Sequence, residues 1–147
     1  MTKPITNARA LPIGAASRLA GVNIETIRYY ERIGLLARPE RTAGGNRVYD
    51  EAAVARLGFI RRCRELGFSI DEIRELLSMV DRRDYSCAEV HRLTVAHHRS
   101  IMGRVAALQR MAAVLDGMAS QCDRGDLPDC PIIEALQDDR RPAGGRP

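Results

Sequence analysis

From Cys87 to Met118 the chain contains no proline and only two glycines, and its apolar residues keep a helical period throughout. The period predicts one long helix. Ile101, Val105, Leu108, Ala112, Leu115 and Ala119 alternate spacings of four and three, which is the pattern of a coiled-coil seam. The same phase carried backwards meets His98, Thr94, His91 and Cys87, so the seam turns polar towards its N-terminal end. Cys87 and Cys122 then lie 35 residues apart, roughly 50 Å at 1.5 Å per residue. Two thiolates at that separation cannot share an ion within one chain. An antiparallel pair of such helices solves this, because Cys87 of one subunit meets Cys122 and Cys130 of the other. The expectation is a metal site built across a dimer interface, with the signal carried by dimer geometry.

Charge divides the chain. Residues 1–67 carry +6 and residues 68–147 carry −2, which suits a basic nucleic-acid-binding head on a separate assembly module. Aromatic residues are only 4% of the chain and tryptophan is absent, favouring a helical protein over a β-sandwich. No apolar stretch is long enough to span a membrane or to form the core of a signal peptide. A cytoplasmic location is expected, where the four cysteines would be thiols or ligands rather than disulfides.

Local signals divide the chain further. Residues 1–10 and 138–147 have the composition of disordered tails. A short helix from Pro12 to Ala20 is closed by Gly21, with Pro12 near its first turn. Asn23 can cap a second helix that runs to about Ile33 and ends at Gly34. Arg38–Tyr49 reads as a small β-ribbon, or wing, turning at Gly44-Gly45-Asn46. Helices over about 51–66 and 70–80 follow, the second opened by a Ser69/Glu72 capping box. The expected fold is mainly α. A winged helix-turn-helix head spans residues 11–80, a dimerisation helix 85–121, and a metal-binding loop with a short helix 122–137.

The helix, glycine turn and helix across Ile13–Arg32 form a helix-turn-helix pattern. Ala16, Ala20, Val22, Ile27 and Tyr30 face inward, leaving Thr26, Arg28 and Tyr29 for the major groove and its phosphates. The wing adds Arg41, Asn46, Arg47 and Tyr49 for the flanking backbone, and Arg61, Arg62 and Arg64 add basic charge on the next helix.

IRYYERIGLL (27–36), R-x-x-G-G-N-R-x-Y (41–49) and RELGFSIDEI (64–73) together resemble the MerR family of transcription regulators, from about Leu11 to Leu136. The resemblance implies a winged helix-turn-helix head and a long antiparallel dimerisation helix. It suggests Arg28, Tyr29, Arg41, Asn46, Arg47, Tyr49 and Arg64 as DNA-contact positions. It also implies a homodimer on an over-long promoter spacer that the metal-bound form distorts so that RNA polymerase can use it.

Thiolates select soft or borderline ions. Cys122-x7-Cys130 with a partner's Cys87 makes three sulfurs, which suits mercury(II) or lead(II) better than the tetrahedron zinc prefers. By the resemblance, a cysteine at Cys87 is similar to the regulators of mercury, lead, cadmium and zinc. The x7 spacing and DCPIIEAL (129–136) are more similar to the copper(I) group. Mercury(II) is the leading expectation, because a third thiolate changes the coordination number itself; lead(II), cadmium(II), zinc(II) and copper(I) stay open. Cys63 reads as a packed thiol, His91 as a polar seam residue rather than a ligand, and His97 and His98 as surface or seam residues. An enzyme is disfavoured, since no catalytic motif surrounds any cysteine. A metal buffer would leave the basic head unexplained, and a drug-sensing relative would need a larger C-terminal domain.

Overall fold

The computed structural model describes residues 10–122 and 130–137. The two expected tails (all but Ala10 of them) and residues 123–129 of the expected metal loop lie outside the described residues. Packing divides the chain into two units between Leu93 and Thr94. The fold is mainly helical with one small sheet.

The first unit begins with β1 (Leu11–Pro12), α1 (Ile13–Ala20) and α2 (Ile24–Arg32). Gly21 closes α1 at φ 67°, a left-handed conformation that glycine adopts without a Cβ penalty. A Cβ there would also stand 3.3 Å from Arg61 Nε. Ser17 Oγ donates to the Val22 carbonyl at 2.6 Å, and Asn23 accepts from the Glu25 amide at 2.8 Å. These contacts fix the turn. Ala16 and Ala20 are buried, and their small size lets the two short helices cross closely.

The wing consists of β2 (Glu40–Arg41) and β3 (Arg47–Tyr49), with Arg41 opposite Arg47. Gly45 at φ 82° makes the turn, and Arg41 Nη1 donates to its carbonyl at 2.7 Å. The sheet has a third strand that local patterns did not indicate. β1 pairs antiparallel with β3, Leu11 opposite Tyr49 and Pro12 opposite Val48. Pro12 therefore ends an edge strand and caps α1 instead of entering its first turn, an edge position that needs no amide hydrogen.

Next come α3 (Glu51–Glu65), capped by Asp50, and α4 (Ile70–Arg82), opened by the reciprocal Ser69/Glu72 box. Ile27, Leu35, Tyr49, Leu57, Ile60 and Ile73 are fully buried in one core. Two arginines tie the segment after α2 to it. Arg56 donates from Nε to the Leu35 carbonyl at 2.8 Å and from Nη1 to Asp81 at 2.7 Å; Arg74 reaches the Ile33 carbonyl at 2.9 Å. The Ile33 carbonyl, left over at the end of α2, is satisfied in this way.

Ser86 and Glu89 form a second reciprocal cap, which opens α5 (Cys87–Cys122), a helix of 36 residues. Its first turns belong to the head, where Val90 and Leu93 pack against the core cluster. In the second unit, Met102, Val105, Leu108, Met111, Val114 and Leu115 of α5 are all exposed. A short α6 (Pro131–Gln137) completes the described residues. Among them, no helix is long and apolar enough to cross a membrane.

Candidate nucleic-acid interface and metal-ligand positions

The short turn at Gly21 sets α2 across α1 with Ile27 and Tyr30 inward. Arg28 and Tyr29 are exposed on α2, and Thr26 is half-buried. Arg28 Nη1 lies 2.9 Å from Glu25 Oε1. The Tyr29 ring is 5.9 Å from that of Tyr30, and the Arg32 guanidinium sits 5.8 Å from the Tyr29 ring centre. Arg32 thus has a cation–π partner.

On the wing, Arg41 and Asn46 are exposed and Arg47 is half-buried. Arg64 is exposed but donates from Nη1 to the Phe68 carbonyl at 2.8 Å, bracing the turn between α3 and α4. Arg61 pairs with Glu65 at 2.8 Å, while its Nε is buried without a partner among the described residues.

Tyr49 differs from its expected place as a DNA contact. It is 1% exposed, at the centre of the core, and its phenol donates to Glu31 Oε1. A residue so fully buried has little surface to offer a phosphate, and its bond to Glu31 holds the wing down. Burial raises the phenol well above its usual pKa, and the bond to Glu31 adds to this.

Glu31 is the residue that sequence reasoning missed. Its carboxylate takes the Tyr49 phenol on one oxygen and Arg47 Nε on the other at 3.2 Å, although its side chain is only 9% exposed. One signal was available: an acidic side chain in the last turn of α2, between the basic Arg28 and Arg32.

The cysteines fall as follows. Cys63 is a buried free thiol, its pKa raised by burial, consistent with a packed residue. Cys87 is an exposed free thiol, and Cys130 is exposed. Cys87 and Cys122 are the first and last residues of α5, a helix of roughly 50 Å by its rise. Within the chain, no cluster of three or more His, Cys, Asp or Glu side chains that could hold a metal occurs among the described residues. His91 and His98 are exposed, and His97 is buried at 6%.

A family model described as MerR HTH family regulatory protein matches residues 11–80, and one described as MerR, DNA binding, matches residues 54–118. The mercuric resistance operon regulatory protein of Bacillus cereus is 42% identical over 125 residues, 84% of this chain and 95% of that protein. The crystal structure of the transcription regulator PbrR691 from Ralstonia metallidurans CH34 in complex with lead(II) aligns with a TM-score of 0.75 at 36% identity, covering 86% of this chain and 98% of the other. The mercury(II) complex of the dual-function regulator MerR from Bacillus megaterium MB1 gives a TM-score of 0.66 at 38% identity, covering 82% and 94%. With its turn-linked α1 and α2, its wing and its long α5, the chain belongs to the MerR family of helix-turn-helix regulatory proteins, which are DNA-binding transcription regulators and not enzymes.

Proposed function

We propose that the chain is a metal-responsive transcription regulator acting as a homodimer on a palindromic promoter. The observation that carries it is the placement of Cys87 and Cys122 at opposite ends of α5, whose Met102, Val105, Leu108, Met111, Val114 and Leu115 side chains between them lie exposed. One antiparallel partner covers that stripe and brings Cys87 of each subunit to Cys122 and Cys130 of the other. Thr26, Arg28, Tyr29, Arg41, Asn46, Arg47 and Arg64 engage the groove and its phosphates. The head, the rod and the terminal loop thereby divide reading, assembly and sensing between them.

Metal shifts the dimer only through a difference in affinity for its two geometries. Binding the loop of one subunit to the rod of the other biases the angle between the heads and hence the bend of the DNA. Bending cost depends on uncontacted base pairs, and the bent promoter becomes usable by RNA polymerase, activating a metal-resistance operon. Three soft thiolates fit mercury(II) first, in keeping with a relative named for mercuric resistance and a similar structure holding mercury(II). Lead(II), held by another similar structure, and cadmium(II), zinc(II) or copper(I) are the alternatives.

Titrating reduced protein with each ion, while following a fluorescent promoter duplex, tests the ligand set. Cys87→Ser is expected to abolish the response to mercury(II) and lead(II). Retention of the full divalent response would remove Cys87 from the site, and a response to copper(I) alone would reassign the ion. A metal buffer without DNA function would show ion binding with no sequence-selective duplex binding.

A further inference from the structure

Building on the head as the DNA interface, we propose that Glu31 is a positioning residue for recognition, locking the wing to α2 and aiming Arg47 at the DNA backbone. The wing carries an internal conflict. Arg41 and Arg47 are directly opposite across β2 and β3, and like charges so placed repel. Arg41 is held by the Gly45 carbonyl at the turn. Arg47 is held by Glu31, which comes from the recognition helix 16 positions earlier.

A guanidinium presents five donors in a fixed plane. Glu31 takes the Nε side of Arg47, leaving the two terminal nitrogens, on a side chain still 35% exposed, for an anion. The other Glu31 oxygen takes the Tyr49 phenol at the far end of β3. One buried carboxylate therefore grips both ends of a three-residue strand and ties it to the helix that enters the groove. The distance between the groove contacts and the wing contact becomes a fixed property of the head.

Electrostatics alone predicts the opposite sign. A negative charge beside a DNA-binding surface weakens attraction to phosphate, so its removal should tighten binding. Positioning predicts that its removal weakens specific binding. The sign of the effect separates the two.

The test uses full-length reduced protein, a duplex that the wild type selects from a random library, and a random duplex of equal length. Glu31→Gln is expected to lower affinity for the selected duplex at least about tenfold, leaving the random duplex unchanged or slightly tighter. Arg47→Lys, which keeps the charge but not the fork, should lose about as much as Arg47→Ala. In the Glu31→Gln background, Arg47→Ala should cost no more than about twofold further. The proposal is overturned by Glu31→Gln binding as well as wild type or better, by Arg47→Lys behaving as wild type, or by additive losses. If melting shows that Glu31→Gln does not fold, the two Arg47 variants decide by themselves. A wild type that selects no sequence defeats the DNA reading and the proposal together, an outcome no variant comparison can imitate.

Discussion

Tyr49 shows where a residue-level reading from motif alone goes astray. In R-x-x-G-G-N-R-x-Y, Arg47 and Tyr49 share one face of β3, and only tertiary packing decides which of them points at solvent. The strand paired beside it, β1, comes from before α1 and leaves no local mark at position 49. Tyr30, by contrast, was legible as core because helical spacing alone turns it inward with Ile27. The buried phenol–carboxylate contact has a measurable cost. Tyr49→Phe removes a hydrogen bond to a charged acceptor and should destabilise the reduced, metal-free protein by about 2 kcal/mol in denaturant unfolding. It should also alter the alkaline limb. The folded state raises the phenol's pKa, so this contribution is fully present below the unfolded value of about 10 and is lost as pH rises through the folded one. Wild type should therefore lose stability more steeply than Tyr49→Phe above about pH 10. Parallel pH curves for the two proteins would show that the phenol does not titrate differently on folding.

At the scale of elements, legibility followed the caps. Ser69-x-x-Glu72 marked the start of α4 and both halves of the box are made. The same chemistry at Ser86-x-x-Glu89 opens α5 but was hidden inside a run of charged turn residues. The end of α4 carried no mark at all. The helix continues to Arg82, and Arg83 closes it at φ 57°, the one non-glycine residue with positive φ among those described. Glycine closes α1 in the same conformation, so the expected stop signal is absent here and the helix overran its predicted end. A non-glycine residue pays roughly 1–2 kcal/mol in that region, against about 0.5–1 kcal/mol of extra chain entropy for glycine. Arg83→Gly should thus stabilise the head by up to about 1 kcal/mol, read as a rise in unfolding midpoint with unchanged helicity. A fall in midpoint would mean that the arginine side chain contributes more than its backbone strain costs.

For the whole molecule, the sequence supplied the rod and its end residues, but a single chain cannot display what covers the rod. Leu108 and Leu115 lie on the predicted seam and are each 63% exposed, with Met111 and Val114 beside them. Monomeric proteins seldom leave so continuous an apolar stripe uncovered. Covering one leucine contributes roughly 1.5–3 kcal/mol, and an antiparallel pair would cover both from each subunit. Replacing Leu108 and Leu115 together by glutamate should therefore turn a dimer in sedimentation equilibrium into a monomer at micromolar concentration. The head has its own core and does not depend on that stripe, so its helicity should persist while the concentration dependence of melting disappears. If the proposed site is right, metal should bind the double variant far more weakly, because Cys87 and Cys122 stand at opposite ends of α5. Wild-type metal affinity in a monomeric double variant would place the ligands within one chain and rule out a sensor built on dimer geometry.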